Sequence, residues 1–288
     1  MLKKIGIIGA GNIGSSMAVD LLLNGYHVKL VDVTDDALMA ARIKIDQELK
    51  FALLMRGRSK ENPNHEKLLA DIEATTQMED TEDCDLIIEN VYEDWAVKEK
   101  VYRRLDQICP PHICFGVNTS CISVTKLAGV TSRRDKIVGV HFMNPVNLMP
   151  TVEVMRGIHT SDNTLDLIIQ FLATLNKEAI VVQDFPGFVS NRISHLFINE
   201  AAFVYQDNVA SARDIDKIFK KCFFHKMGPL ETADLIGLDT VMKSIDVLYE
   251  SYKDPKFRCC PVIRRMVDAG HLGRKTGKGF YDYNINLQ

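Results

Sequence analysis

Apolar residues along the first two thirds of the chain fall into short runs. Ile5–Ile8, His27–Val33, Asp85–Val91, Ile113–Val117 and Lys136–Phe142 are too short for buried helices and rich in Val and Ile, so each reads as a buried strand. Ile72–Thr75 and Glu178–Gln183 read as further strands. Thr151–Met155 alternates polar and apolar positions, as a half-exposed strand does. Between these runs the period changes to that of a helix. From Asp36 to Met55 the apolar positions Leu38, Ile45, Leu49, Ala52 and Leu53 lie on one face, and Trp95–Ile108 ends at Pro110-Pro111. Ser161 or Asp162 caps a helix running through Leu175. Shorter helices are expected at His65–Ile72 and Ile122–Leu127. The helices over about 35–72 read as an arm inserted between two strands, ended first by Arg56-Gly57-Arg58-Ser59.

Strands alternating with helices over residues 1–184 predict an α/β domain with a doubly wound sheet. Beyond Asp184-Phe185-Pro186 no convincing strand follows. Pro186-Gly187 is expected to open a helix to about Tyr205, Ser211 to cap one to Cys222, and Asp239–Tyr252 and Val262–Ala269 to be amphipathic helices. Residues 185–288 are therefore expected to form a smaller all-α domain.

Composition narrows the class. The chain has 288 residues, 46% hydrophobic and 25% charged, as a soluble protein with a sizeable core has. A net charge of −3 gives no basic field for nucleic acid or a membrane surface. No apolar run reaches the roughly 20 residues of a membrane span. The first strand starts near residue 4, so no targeting segment is expected before it. The seven cysteines show no CxxC or Cys/His spacing suited to a metal. They suggest a reduced, cytoplasmic protein without disulfides.

The densest chemistry is at the start. Ile5–Ile8 runs into Gly9-Ala10-Gly11-Asn12-Ile13-Gly14 and then a helix, and Asp32 closes the second strand eighteen residues after Gly14. This is a dinucleotide-binding fingerprint in its strand–turn–helix context, which makes the sheet Rossmann-type. Gly9 allows the tight turn, Gly11 the approach of a pyrophosphate, and Gly14 close packing of helix on strand. The N–H groups that open the helix, at Asn12 and Ile13, favour an anion. Asp32 suits ribose hydroxyls and repels a 2′-phosphate, so NAD is favoured over NADP, with FAD a lesser rival for the same signature.

A dinucleotide-dependent alcohol oxidation needs a base for the hydroxyl proton. His141 ends the Lys136–Phe142 strand at the sheet edge where open α/β sheets place ligands. Glu153, on the next strand, is able to orient the imidazole. A structural histidine at a strand end with a solvent-facing Glu153 fits the pattern equally well. Ser120, in Asn118-Thr119-Ser120, is able to meet a substrate oxygen, or it builds a turn. Asn191 offers an amide one turn into the helix after Pro186-Gly187, or serves as a polar residue of the cap region.

The set comprising the Gly9–Gly14 turn, Asn118-Thr119-Ser120, His141-Phe142-Met143-Asn144-Pro145, Glu153, Pro186-Gly187-Phe188-x-x-Asn191-Arg192, Met227-Gly228-Pro229 and Gly273-Arg274-Lys275-Thr276-Gly277-Lys278-Gly279-Phe280-Tyr281 strongly resembles the 3-hydroxyacyl-CoA dehydrogenase family. The matches run in order from residue 5 to residue 283, and the HF-x-NP and GRKTGKGFY stretches are the most specific. The resemblance implies His141 as acid/base, Glu153 as its partner, and Ser120 and Asn191 as substrate-positioning groups. It implies that NAD meets Asp32, Glu93, Lys98, Ser120, Asn144 and Lys275. On residue type alone Glu93 and Lys98 also read as a salt-bridged helix start, and Lys275 as a solvated turn. The resemblance further implies a homodimer through the helical domain.

Two stretches depart from the family's pattern. Where its arm commonly carries a Ser and a Lys for the CoA nucleotide, ungapped counting gives Glu48 and Met55. After Asn144-Pro145 the usual Lys is missing from Val146-Asn147-Leu148-Met149-Pro150. Arg56, Arg58 and Lys60 form a small basic cluster at the end of the arm helix. The expectation is therefore an NAD-dependent dehydrogenase acting on a 3-hydroxyacyl thioester. The alternative substrates are the same acyl group on an acyl carrier protein, or a free hydroxy or sugar acid. A dinucleotide-binding structural or sensing protein is the non-enzymatic alternative.

Overall fold

The computed structural model describes residues 2–55 and 64–283. Two compact units divide the chain, Met1–Phe185 and Pro186–Gln288.

In the first unit the strands are β1 (Lys4–Ile8), β2 (His27–Val31), β3 (Ile72–Thr75), β4 (Leu86–Glu89), β5 (Cys114–Val117), β6 (Ile137–His141), β7 (Thr151–Arg156) and β8 (Glu178–Gln183). The helices between them are α1 (Asn12–Leu23), α2 (Asp35–Met55), α3 (His65–Ala70), α4 (Trp95–Ile108), α5 (Val124–Ala128) and α6 (Asp162–Thr174). Among the described residues the strands form one sheet in the order β3-β2-β1-β4-β5-β6-β7-β8. Its two halves grow outward from β1 and β4, which makes it doubly wound. All neighbours are parallel except β6 and β7. The apolar runs are strands because both sheet faces are covered: β1, β4 and β5 bury nearly every residue. α2 and α3 fall between β2 and β3 in sequence, as the inserted arm requires. The Arg56-Gly57-Arg58-Ser59 stretch and the cluster Arg56, Arg58 and Lys60 lie outside the described residues.

Two local expectations change. Thr151–Met155 is not half exposed; the four central residues of β7 are buried, with Glu153 only 9% accessible. Its polar alternation reflects a buried carboxylate that has found a partner. Asp32 stands just beyond β2, which ends at Val31 rather than Val33.

The second unit contains α7 (Ser190–Gln206), α8 (Ala212–Cys222), α9 (Pro229–Ile236), α10 (Leu238–Tyr252) and α11 (Pro261–Asp268). They share a core that includes Ile198, Ala202, Leu230, Val241, Ile245 and Ile263. Pro186-Gly187 does not open α7. Gly187 and Phe188 take left-handed φ of 76° and 49°, which a helix cannot accommodate, so α7 begins at Ser190 and Asn191 is in its first turn. The helix α9 was not expected. Its start at Gly228-Pro229 has no side-chain cap of its own, and buried Asp216 on α8 accepts from the N–H groups of Leu230 and Glu231 instead. Asp234 on α9 accepts from the N–H groups of Phe280 and Tyr281 and from the Tyr283 hydroxyl. Burial pushes the Asp234 carboxyl above the usual carboxylate range. This carboxylate pins the C-terminal GRKTGKGFY stretch to the helices. Among the described residues no helix is long and apolar enough to cross a membrane.

Candidate active site

The ends of β1, β2, β4, β5 and β6 gather the first unit's candidate residues along one edge of the sheet. At β1, Gly9 takes φ 99° against the backbone of Asn90; a Cβ there would sit 2.7 Å from the Asn90 carbonyl. At Gly14 a Cβ would lie 1.9 Å from the Gly9 carbonyl, so only glycine lets α1 start so close to the strand. Gly11 faces open space and caps α1 without a side-chain hydrogen bond. The N–H groups that open α1 therefore have no side-chain cap at Gly11. A cavity of about 510 Å³ beside the turn is lined by Gly9, Gly11, Asp32, Val33, Asn90 and Val91 among others. One Asp32 oxygen accepts from Ala10 N at 2.7 Å and the other from Val33 N at 2.7 Å. The carboxylate is thus fixed between the glycine turn and β2, with lone pairs left for ribose hydroxyls. Lys44 of α2 reaches Asn12 Oδ1 at 2.8 Å, beside the turn. A helix N-terminus without a cap, a glycine against open space and a fixed carboxylate fit a dinucleotide with unphosphorylated adenosine ribose.

At β6 the single antiparallel pairing is decisive. Its register sets His141 directly opposite Glu153. His141 Nδ1 lies 3.2 Å from Glu153 Oε2, and both side chains are less than a tenth exposed. A carboxylate accepts only, so Nδ1 carries the proton it donates and Nε2 of the neutral ring is left as the basic nitrogen. Ser120 Oγ lies 3.4 Å from that Nε2. The structure thus brings His141, Glu153 and Ser120 together. Asn144 is exposed in the turn after β6, and that turn is tied to α1 by Val146 N donating to Ser16 Oγ at 3.1 Å.

Lys98, expected among the cofactor contacts, is held inside the protein beside that edge. It is completely buried, and its ammonium donates to both Glu89 oxygens, at 2.7 and 2.9 Å, and to the Asn118 carbonyl at 2.8 Å. Its three donors are engaged inside the protein. Burial pushes the Glu89 carboxyl above the usual carboxylate range, with Lys98 pulling against it. Glu93, also expected to face the cofactor, turns one oxygen to the Ser120 loop, accepting from Thr119 Oγ1 at 2.6 Å and from Ser120 N at 2.9 Å.

Glu89, Asn90 and Asn118 escaped the sequence reading as a linked group. Asn118 Nδ2 donates to Asn90 Oδ1 at 2.7 Å, and its Oδ1 accepts from Phe142 N at 3.3 Å, next to His141. The available signal was Glu89 itself, a carboxylate closing an otherwise apolar buried strand, with a lysine nine residues on. Asn191 and Lys275 lie in the second unit. The Asn191 backbone carbonyl accepts from His195 Nδ1 at 3.0 Å, and Lys275 pairs with Asp239 at 2.5 Å.

A doubly wound sheet with a glycine turn, a ribose-type aspartate and a histidine–carboxylate pair at its carboxyl edge defines a nicotinamide-dinucleotide oxidoreductase. Residues 4–185 match the model of the 3-hydroxyacyl-CoA dehydrogenase NAD binding domain, and residues 187–283 match that of the C-terminal domain. The chain belongs to the 3-hydroxyacyl-CoA dehydrogenase family. It is 41% identical over 283 residues to a 3-hydroxybutyryl-CoA dehydrogenase of Bradyrhizobium diazoefficiens, covering 98% of this chain and 96% of that one. It is 35% identical over 290 residues to the mitochondrial hydroxyacyl-coenzyme A dehydrogenase of Sus scrofa, covering 98% and 92%. A crystal structure of (S)-3-hydroxybutyryl-CoA dehydrogenase from Ralstonia eutropha superposes with a TM-score of 0.92 at 38% identity, covering 98% of this chain and 99% of that one.

Proposed function

We propose that this protein interconverts a short 3-hydroxyacyl thioester and its 3-oxo form, with His141 as the acid/base. The observation that carries this is the cross-strand pair His141–Glu153, with Ser120 at the opposite ring nitrogen. Bound NAD supplies the hydride acceptor. His141 Nε2 takes the proton of the C3 hydroxyl as that C–O bond becomes a carbonyl, and returns it in the reverse reduction. Glu153 stabilises the imidazolium formed in that step. Ser120 Oγ is placed to hold the reacting oxygen. Asn191 of the second unit, the resemblance implies, positions the substrate, and Asn144 and Lys275 meet the cofactor. The direct test is NADH formation from 3-hydroxybutyryl-CoA by wild type and by His141→Gln. Absence of turnover in wild type would remove this reading.

A second reading, delivery of the acyl group by an acyl carrier protein, draws on a groove of about 510 Å³ beside α2. Its lining includes Glu48, Phe51, Met55 and Leu148, with no Lys or Arg among the described residues that line it. Such a lining suits a neutral pantetheine arm better than a nucleotide phosphate. A free hydroxy acid or a sensing role has no comparable support. A homodimer through the second unit is supported by exposed apolar residues such as Ile218, Phe223 and Phe224. Its molar mass in solution tests it. A cytoplasmic, reducing location suits seven free thiols, six of them buried.

A further inference from the structure

Residues 119–122 turn tightly at the end of β5, and the backbone N–H groups of three consecutive residues converge on one atom. Ser120 N, Cys121 N and Ile122 N donate to Glu93 Oε1 at 2.9, 2.8 and 3.2 Å, and Thr119 Oγ1 donates to it at 2.6 Å. Successive N–H groups arranged in this way form a nest, a concavity that holds an anion. Here the anion comes from the protein's own chain, twenty-seven residues before Ser120. The other oxygen, Oε2, lies 3.6 Å from the Lys98 ammonium, which is itself fixed by Glu89 and the Asn118 carbonyl. A continuous line of charge and hydrogen bonds therefore runs from the buried Glu89–Lys98 pair through Glu93 to the Ser120 loop. Ser120 Oγ then meets His141 Nε2.

We infer that Glu93 is a positioning residue for the reaction: its carboxylate fills the nest and holds Ser120 in place at His141, apart from any contact it makes with the cofactor. The inference rests on the acid/base role proposed for His141. Without the carboxylate, Ser120 N, Cys121 N and the Thr119 hydroxyl lose their common acceptor, while Ile122 N keeps only Thr119 Oγ1 at 2.9 Å. The loop relaxes, and Ser120 drifts from the imidazole. A misplacement of about 1 Å in a reacting constellation costs on the order of 100-fold in rate. The Glu93 side chain is 35% exposed, so its truncation leaves no buried cavity and the fold should survive.

The test compares wild type, Glu93→Ala, Glu93→Asp and Thr119→Val with NAD and 3-hydroxybutyryl-CoA. Glu93→Ala should lower kcat by about 10–100-fold while KM for NAD changes by less than about threefold. Acetate or formate, a small anion able to enter the emptied nest, should restore a good part of kcat in Glu93→Ala and none in His141→Gln. Thr119→Val should show a smaller loss in the same direction. A raised KM for NAD with kcat intact would overturn the inference, because Glu93 would then be a cofactor contact only. A kcat loss indifferent to added carboxylate would overturn it as well. An inactive wild type would instead refute the proposed function, and a readout free of substrate keeps the two apart. The His141 ring resonances, identified by their loss in His141→Gln, should move in Glu93→Ala as they move in Ser120→Ala. Unchanged resonances in Glu93→Ala would defeat the inference whatever the substrate.

Discussion

In the proposed reaction the two ring nitrogens of His141 do different work. Nδ1 is committed to Glu153 at 3.2 Å, which leaves Nε2, 3.4 Å from Ser120 Oγ, for the proton. His141→Gln should therefore reduce kcat by about 10²–10⁴-fold and leave the affinity for NAD, measured by calorimetry, close to wild type. Normal turnover would place the base elsewhere. Glu153→Gln retains an acceptor but loses the charge that stabilises imidazolium. A hydrogen bond to a charged group is worth about 1.5–3 kcal/mol, so kcat should fall by about 10–100-fold, with the melting temperature as a control for folding. Asp32 has both oxygens fixed by backbone N–H groups, so it is poorly able to swing away from a 2′-phosphate. A close charge pair at an effective dielectric of about 20 is worth about 4 kcal/mol. NAD should be preferred over NADP by several tens-fold or more in kcat/KM, and Asp32→Ser should narrow the gap. Equal use of both cofactors by wild type would contradict this reading of Asp32.

Helix α4 shows how an element is held in register with the site. Its C-terminal carbonyls have no partners within the helix. Buried Arg133, in the segment before β6, supplies them: its guanidinium donates to Asp106 O at 3.0 Å, Cys109 O at 2.7 Å and Pro110 O at 2.6 Å, and to Asp106 Oδ1 at 2.8 Å. One side chain thus ties α4, which carries Lys98, to the chain entering the His141 strand. Arg133→Ala should destabilise by about 3 kcal/mol or more, read as a lower urea midpoint. Burial raises the Asp106 carboxyl pKa, but hydrogen bonds from Ser132 and Arg133 outweigh it and leave it below the usual carboxylate range. A carboxyl depressed on folding contributes stability above its unfolded pKa of about 4, and that contribution is lost as pH falls through the lower folded value. The stability gap between wild type and Asp106→Asn should thus be full near pH 7 and shrink below about pH 4. A gap independent of pH would mean that packing, not charge, holds this corner.

For the molecule as a whole, the open question is how the acyl group arrives. Among the described residues, two cations of α2 are already engaged. Lys44 sits on Asn12 and lies 3.8 Å from Glu48, and Lys50 pairs with Asp46 at 2.6 Å. With Glu48 in the lining, a nucleotide 3′-phosphate gains little there. One 3-hydroxybutyryl group presented on CoA, on pantetheine alone and on an acyl carrier protein should therefore give kcat/KM values on CoA and pantetheine within about tenfold, less than the loss of one charged contact of about 1.5–3 kcal/mol would permit. A large advantage for CoA would mean that cations elsewhere grip the nucleotide. A large advantage for the carrier protein would select the second reading.

Much of this protein is legible from residue order alone, because its signals are local. Runs of Val and Ile bounded by turns mark strands, Ser161 caps α6 as its position suggests, and the glycine spacing between β1 and α1 reflects sterics within a few residues. The motifs that place the chain in its family are read in the same way. Tertiary structure decided what depends on pairing across distance. Only the antiparallel register of β6 and β7 brings His141 onto Glu153, and the polar alternation of Thr151–Met155 suggested solvent where there is a buried histidine–carboxylate hydrogen bond. Only the crossing of α4 over the sheet edge shows that Lys98 is enclosed by Glu89 and Asn118 and that Glu93 serves the Ser120 loop. Likewise, α9 escaped notice because its cap is Asp216 from another helix, and α7 starts late because Gly187 and Phe188 turn left-handed first. Charge and hydrogen-bond partners are set by what lies within a few ångströms in space, and residue order fixes that proximity only for near neighbours in the chain.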